Sequence, residues 1–235
     1  MYSTRRWLGF LSVALLVACG SGDSEWVALE IDVVEFAPSS DDVPVAEVEV
    51  CEFETSNCET TDDAGFVTIQ LPVSSEVTLS VIKEGYTPTL SPQVTRDEDV
   101  DGLRTAIIRE STTQALALTL GIPFPLEGGV IAISAVTPPV RRQDNGLAGA
   151  TFAVDGVAPY YLDEIGFPTF AADATSEPDG VGGYVELANG VYEITIGGVD
   201  EPCGVISAWP GRTPRSIRVP VAAGFITQAF VACGP

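Results

Sequence analysis

The sequence predicts an all-β fold built as two tandem β-sandwiches, and three observations carry that expectation. Short runs of alternating apolar and polar residues, rich in Val, Ile and Thr, are punctuated by turn residues from a total of 23 Gly and 17 Pro. Such period-two runs between turn signals are the pattern of half-buried strands, whereas helical periodicity is hard to find. The same series of runs also occurs twice in one order, over about 215 residues, a length that suits one large β domain or two small ones.

Taken in order, Val27–Glu35, Val45–Phe53, Phe66–Pro72 and Val77–Lys83 read as strands of the first half. Leu103–Arg109 is short and β-branched enough to be another. In the second half Val130–Val136, Ala148–Val154, Tyr184–Leu187 and Val191–Ile196 read the same way. The halves align at several places. Ile31–Pro38 matches Ile133–Pro139 in pattern, and Val45-Ala46-Glu47-Val48 matches Leu147-Ala148-Gly149-Ala150. The turn Asp63-Ala64-Gly65-Phe66 recurs as Gly180-Val181-Gly182-Gly183-Tyr184, and each half closes on Thr-Gln-Ala, at 113–115 and 227–229, read as a strand. The expected domains are residues 26–120 and 128–235. Between them, residues 121–127 hold Pro123 and Pro125 and form a short, stiff connector.

Within each half, a small-residue strand start, an acidic turn ending Gly-aromatic and two hairpin strands follow one another. The first half adds Gly85-Tyr86-Thr87-Pro88, which the second lacks. This order resembles the carboxypeptidase regulatory-like, or transthyretin-like, domain. The resemblance covers about two thirds of the chain beyond residue 18 and implies seven-stranded Greek-key (prealbumin-like or Ig-like) sandwiches. It implies an accessory or surface module and transfers no catalytic residue.

The chain opens with Arg5-Arg6 ahead of an uncharged apolar run, Trp7–Ala18. That run is too short for a bilayer, which needs roughly 20 residues, and has the length of a secretory h-region. It ends Leu16-Val17-Ala18-Cys19, which resembles the bacterial lipobox. The resemblance implies a lipoprotein signal peptide at 1–18, removed on export, and lipidation of Cys19, including acylation of the new amino terminus (the palmitate type of anchor). Several chains together make a stable membrane anchor where one does not. Gly20, in place of an inner-membrane retention aspartate, favours the outer membrane. Arg5-Arg6 also raises twin-arginine export as an alternative. Residues 19–25 form a tether that reaches at most ~25 Å. The first sandwich is therefore expected close to the membrane, with the second held beyond it.

Removing residues 1–18 takes away two arginines and no acid, moving the net charge from −22 to −24. This argues against nucleic acid and against polybasic docking on anionic lipid. The chain is nevertheless 46% hydrophobic, which separates it from disordered acidic tails. It contains no histidine, which excludes a Ser-His-Asp triad, a Cys-His pair and histidine ligation of zinc. Besides Cys19 there are Cys51, Cys58, Cys203 and Cys233. Outside the cytoplasm an even count reads as two disulfides, and of the three possible pairings proximity favours Cys51–Cys58 and Cys203–Cys233. A four-thiolate metal site is the competing reading, but no Cys-x-x-Cys pair supports it.

Two clusters invite a functional reading. Asp97, Asp99 and Asp101, followed by Gly102, have the opening spacing of a calcium loop. The twelfth position is Ile108 instead of a bidentate Glu, with Glu110 two residues on, and a solvated acidic loop is the alternative. Tyr160, Tyr161, Phe167 and Phe170 lie in a long insertion of the second half, where they either bind a sugar or protein or cover the open edge of their own sandwich. Asp41-Asp42 and Asp62-Asp63 read as turn residues and Trp209 as a core-and-turn element. The expected function is thus a non-enzymatic, membrane-anchored surface module that binds or scaffolds an envelope protein or glycan. A disulfide- and calcium-stiffened spacer is the second reading and a carboxylate-dependent glycosidase the third.

Overall fold

The computed structural model describes residues 26–36, 43–138 and 145–234. The expected leader, Cys19, the tether and Asp41-Asp42 lie outside the described residues. The two-sandwich, all-β Greek-key architecture read from the sequence is the one observed.

The first half contains β1 (Trp26–Glu35), β2 (Val43–Pro44), β3 (Glu49–Glu52), β4 (Cys58–Thr60), β5 (Phe66–Pro72), β6 (Glu76–Ile82), β7 (Tyr86–Thr87), β8 (Thr89–Val94) and β9 (Val100–Arg109). β1 lies between antiparallel β5 and parallel β9. The facing sheet runs β4-β3-β6-β8. Alternation sets the core: on β5, Val67, Ile69 and Leu71 are buried while Thr68 and Gln70 face solvent. They meet Leu29, Ile31 and Val33 of β1 and Leu79 of β6 in one apolar cluster.

Glu110–Leu120, where the sequence reads a closing strand through Thr113-Gln114-Ala115, is instead a helix, α1. Its run of Ala and Leu, uninterrupted by Gly or Pro, favours helix, and Gly121 ends it in the left-handed region at φ 70°. The buried positions are Thr113 and Ala117, one turn apart. Half of that inner face is polar, so no apolar stripe marks the helix in the sequence. The strand that closes the first half is β9.

The second half contains β10 (Gly129–Val136), β11 (Thr151–Ala153), β12 (Tyr160–Leu162), β13 (Pro168–Thr169), β14 (Val181–Leu187), β15 (Gly190–Gly197), β16 (Cys203–Ser207), β17 (Trp209–Pro210), β18 (Ser216–Val221) and β19 (Ile226–Cys233). β10 lies between antiparallel β14 and parallel β19, repeating β5-β1-β9. β15 lies between β11 and β18, repeating β3-β6-β8, and β16 borders β19 as β7 borders β9. Seven strands are therefore common to both halves. The hydrogen bonds repeat as well. Thr61 Oγ1 donates to Val45 O and accepts from Val48 N, as Thr175 Oγ1 does with Leu147 O and Ala150 N.

The structure shifts one part of the sequence alignment. Gly65 matches Gly180, not Gly183: Val33 N donates to Gly65 O as Ala135 N does to Gly180 O, and both glycines have positive φ. Gly182 and Gly183 serve another purpose. A Cβ on Gly183 would stand 1.9 Å from Ile131 O, and one on Gly182 would stand 2.4 Å from the Tyr161 ring.

The halves are not two beads on a connector. β19 pairs in parallel with β8, at Ile226↔Thr89 and Thr227↔Leu90, which makes one ten-stranded sheet through both sandwiches. Ile108, Val130 and Ile226 form a third apolar cluster at this junction. Beside it, the buried Gln93 amide donates to Ser91 and Ser207, and Ser207 Oγ donates to Pro92 O. Trp209 Nε1 donates to Val77 O, Arg218 pairs with Glu76 and Phe53 meets Phe225 edge-on. Trp209 thus holds the two halves together. Sheet pairing, more than the Pro-containing connector, therefore sets the relation of the two halves.

Candidate functional site

The clearest departure from the shared scaffold is the β12–β13 hairpin, which has no counterpart in the first half. Its base is built into the core. Tyr161 is 1% exposed, stacks on Phe152 and accepts a hydrogen bond from Phe152 N. Tyr160, 6% exposed, donates to Ile131 O. Burial pushes both phenols above their ordinary pKa. Both faces of β12 are therefore covered, and the two tyrosines are anchors instead of a binding platform.

The tip behaves differently. Phe167 and Phe170 are 51% and 49% exposed, and Ile165 is 78% exposed. The turn that carries them is held by Asp163, whose Oδ1 accepts from Ile165 N and Phe167 N at 3.0 and 2.9 Å. Asp163 N donates to Phe167 O and Gly166 N to Asp163 O. The Asp62–Phe66 turn has the same four bonds. In the Asp62–Phe66 turn Phe66 is half-buried, whereas Phe167 is held out. The sequence contains the clue in two Asp-x-x-Gly-Phe spacings, Asp62–Phe66 and Asp163–Phe167, which the alignment of the halves passed over.

The acidic loop lies between β8 and β9. Asp97 and Glu98 are exposed, and Gly102 makes the expected bend at φ 73°. Asp99 Oδ1 accepts a hydrogen bond from Ala28 N at 2.8 Å, tying the loop to β1. The Asp101 side chain lies outside the described residues. Among the described residues, no three acidic or cysteine side chains converge on a point where they could hold a metal ion.

Both disulfides form between directly opposed residues of neighbouring antiparallel strands: Cys51–Cys58 across β3 and β4, and Cys203–Cys233 across β16 and β19. Disulfides are the chemistry of an oxidising, extracytoplasmic compartment. No helix among the described residues is long and apolar enough to cross a membrane. A hollow of about 370 Å³ lies by the β17–β18 turn, floored by Ile196, Val205 and Ile217 and rimmed by Arg212 and Arg215. Those guanidiniums are engaged, Arg212 with Glu193 and Arg215 with the carbonyls of Val199 and Asp200. At the other end of β1, Arg109 grips Glu35 with two bonds of 2.6 Å, and Tyr86 donates to the same carboxylate at 2.7 Å. The Arg109 hydrogen bonds hold the Glu35 carboxyl below its ordinary range, against an opposing effect of burial. This cluster is a structural clamp across β1, β7 and β9.

No protein-family model and no curated protein matches the chain. Among solved structures, the Bacillus anthracis TIE protein is 16% identical with a TM-score of 0.27, covering 89% of this chain and 34% of that one. This chain therefore spans about a third of that protein's length. The shaft pilin SpaA of Lactobacillus rhamnosus GG is 11% identical with a TM-score of 0.26, covering 90% and 99%. A minor pilin of Streptococcus agalactiae is 12% identical with a TM-score of 0.27, covering 89% and 97%. At such values no role passes from these proteins to this chain.

Proposed function

We propose that the chain is a non-enzymatic lipoprotein of the bacterial cell envelope that binds or scaffolds an envelope protein or glycan. Cleavage before Cys19 and lipidation of its sulfur anchor it, in the outer membrane by the Gly20 criterion. Residues 26–120 and 128–235 are its two sandwich domains, of the carboxypeptidase regulatory-like kind. The observation that carries the binding reading is the hairpin insertion, which spends two buried tyrosines on fixing its base while exposing Phe167 and Phe170 at its tip. A loop needed only to cover a sheet edge gains nothing from exposed aromatics.

Mass spectrometry of the chain from a bacterial membrane tests the anchor: a diacylglycerol adduct on Cys19 is expected, and Cys19→Ala should leave the chain unlipidated. Pull-down from envelope extracts and glycan-array binding with the full chain test the recognition. The second reading, a stiff spacer, is favoured by the continuous ten-stranded sheet and the third apolar cluster. A pure spacer would capture nothing in either assay.

A further inference from the structure

We infer that the tip of the β12–β13 hairpin, with α1 against β13, docks a cationic polypeptide that carries an apolar anchor. The inference rests on the binding-module reading and names the partner's chemistry. Among the described residues ten large hydrophobic side chains are exposed, and three of them, Ile165, Phe167 and Phe170, fall within six residues. α1 lies against β13 and carries another exposed apolar side chain, Leu118, at 81%. Clustered apolar side chains on a rigid support are what an interface centre needs, because little conformational freedom is lost on binding. The rigidity is visible in the four hydrogen bonds of the Asp163 turn and in the buried tyrosines beneath it.

Charge selects the partner. Asp163 and Glu164 are in the turn itself, and a Cβ on Gly166 would stand 3.6 Å from Asp179 Oδ2, which places a third carboxylate at the tip. Asp173 follows three residues after Phe170 and is exposed. No Lys or Arg occurs between Arg142 and Arg212. An apolar centre with an anionic rim attracts a polypeptide bearing Lys or Arg around a hydrophobic residue and repels an acidic one. A neutral glycan would gain nothing from that rim, and a second copy of this acidic chain would be repelled.

The test uses the full chain in lipid nanodiscs and three labelled probes: a peptide alternating lysine with leucine, the same peptide with glutamate for lysine, and a neutral chitin oligosaccharide. Only the lysine peptide should bind, and more weakly as salt rises. Phe167→Ser with Phe170→Ser should weaken it by about tenfold or more, Glu164→Lys should weaken it too, and Val191→Ser, an exposed apolar position elsewhere, should not. Unchanged melting of each variant would show that the fold is intact. Equal binding by the double variant, preference for the oligosaccharide or the glutamate peptide, or self-association abolished by the double variant would overturn the inference. In the envelope pull-down, capture retained by the double variant would overturn this surface and leave the binding module standing. No capture by either chain would overturn both.

Discussion

The two disulfides offer the sharpest quantitative test of the fold. Each joins opposed residues of adjacent antiparallel strands with the same Cα separation, 4.0 Å, so the strand geometry is shared while the loop length differs. Cys51 and Cys58 are 7 residues apart and Cys203 and Cys233 are 30 apart. In the chain-entropy description, the cross-link removes about 8 cal/mol/K from the unfolded state for the short loop and about 12 for the long one. At 25 °C this is about 2.4 and about 3.6 kcal/mol. Alanine is the replacement of choice, because Cys233 is 2% exposed and a serine hydroxyl there would add a desolvation cost. Urea denaturation of C51A/C58A and C203A/C233A should lower the unfolding free energy by those amounts, the long-loop pair by about 1.2 kcal/mol more. Equal losses, or a larger loss for C51A/C58A, would refute the claim that loop length controls the difference.

Other expectations follow from the same contacts. Gly180→Ala combines a positive φ of 61° with a Cβ placed 2.2 Å from Ala135 O, and should cost about 3 kcal/mol or more. Gly102→Ala, at a φ of 73° in open space, should cost only about 1 kcal/mol by chemical denaturation. Because the folded Glu35 carboxyl holds its proton less tightly than the unfolded one, the clamp contributes fully above the ordinary carboxylate range and is lost as pH falls through the lowered folded value. Melting curves of Glu35→Gln should therefore converge on wild type in acid and lie below it at neutral pH. Leu79→Ala in the first core should lower the transition reported by Trp209 fluorescence in a Trp7→Phe, Trp26→Phe background by as much as that reported by far-UV circular dichroism. Separate transitions would contradict the shared sheet. If the acidic loop takes calcium, the ion should raise the melting temperature of the wild type and leave Asp99→Ala unmoved; no shift in the wild type would remove the site.

Much of the scaffold was legible because alternation is local. Val67, Ile69 and Leu71 announce an inward face by themselves, and the patterns shared by the two halves announce its duplication. β8 and β18 went unread for a shared reason: each carries a proline, Pro92 and Pro220. Both are tolerated because the neighbouring element needs only their carbonyls, which accept from Ser207 and Thr227. α1 hid because its buried face is Thr113 and Ala117. The pairing of β8 with β19 has no sequence signal at all, since two parallel registers far apart in the chain leave no local pattern. The hairpin's four aromatics were found as a group, but which would be anchors depended on Gly182 and Gly183 letting Tyr161 and Tyr160 approach, a three-dimensional fact.

The join between β8 and β19 also bears on the order in which the chain can mature. The strand that covers β8 arrives some 137 residues after it. A chain emerging amino-terminus first must hold the first sandwich with that flank bare until Ile226 and Thr227 are delivered. Truncation anywhere before Ile226 therefore does more than delete a second domain: it leaves the first with an unprotected, adhesive border. Delivery of β19 is thus a condition for the first half to become inert toward its neighbours.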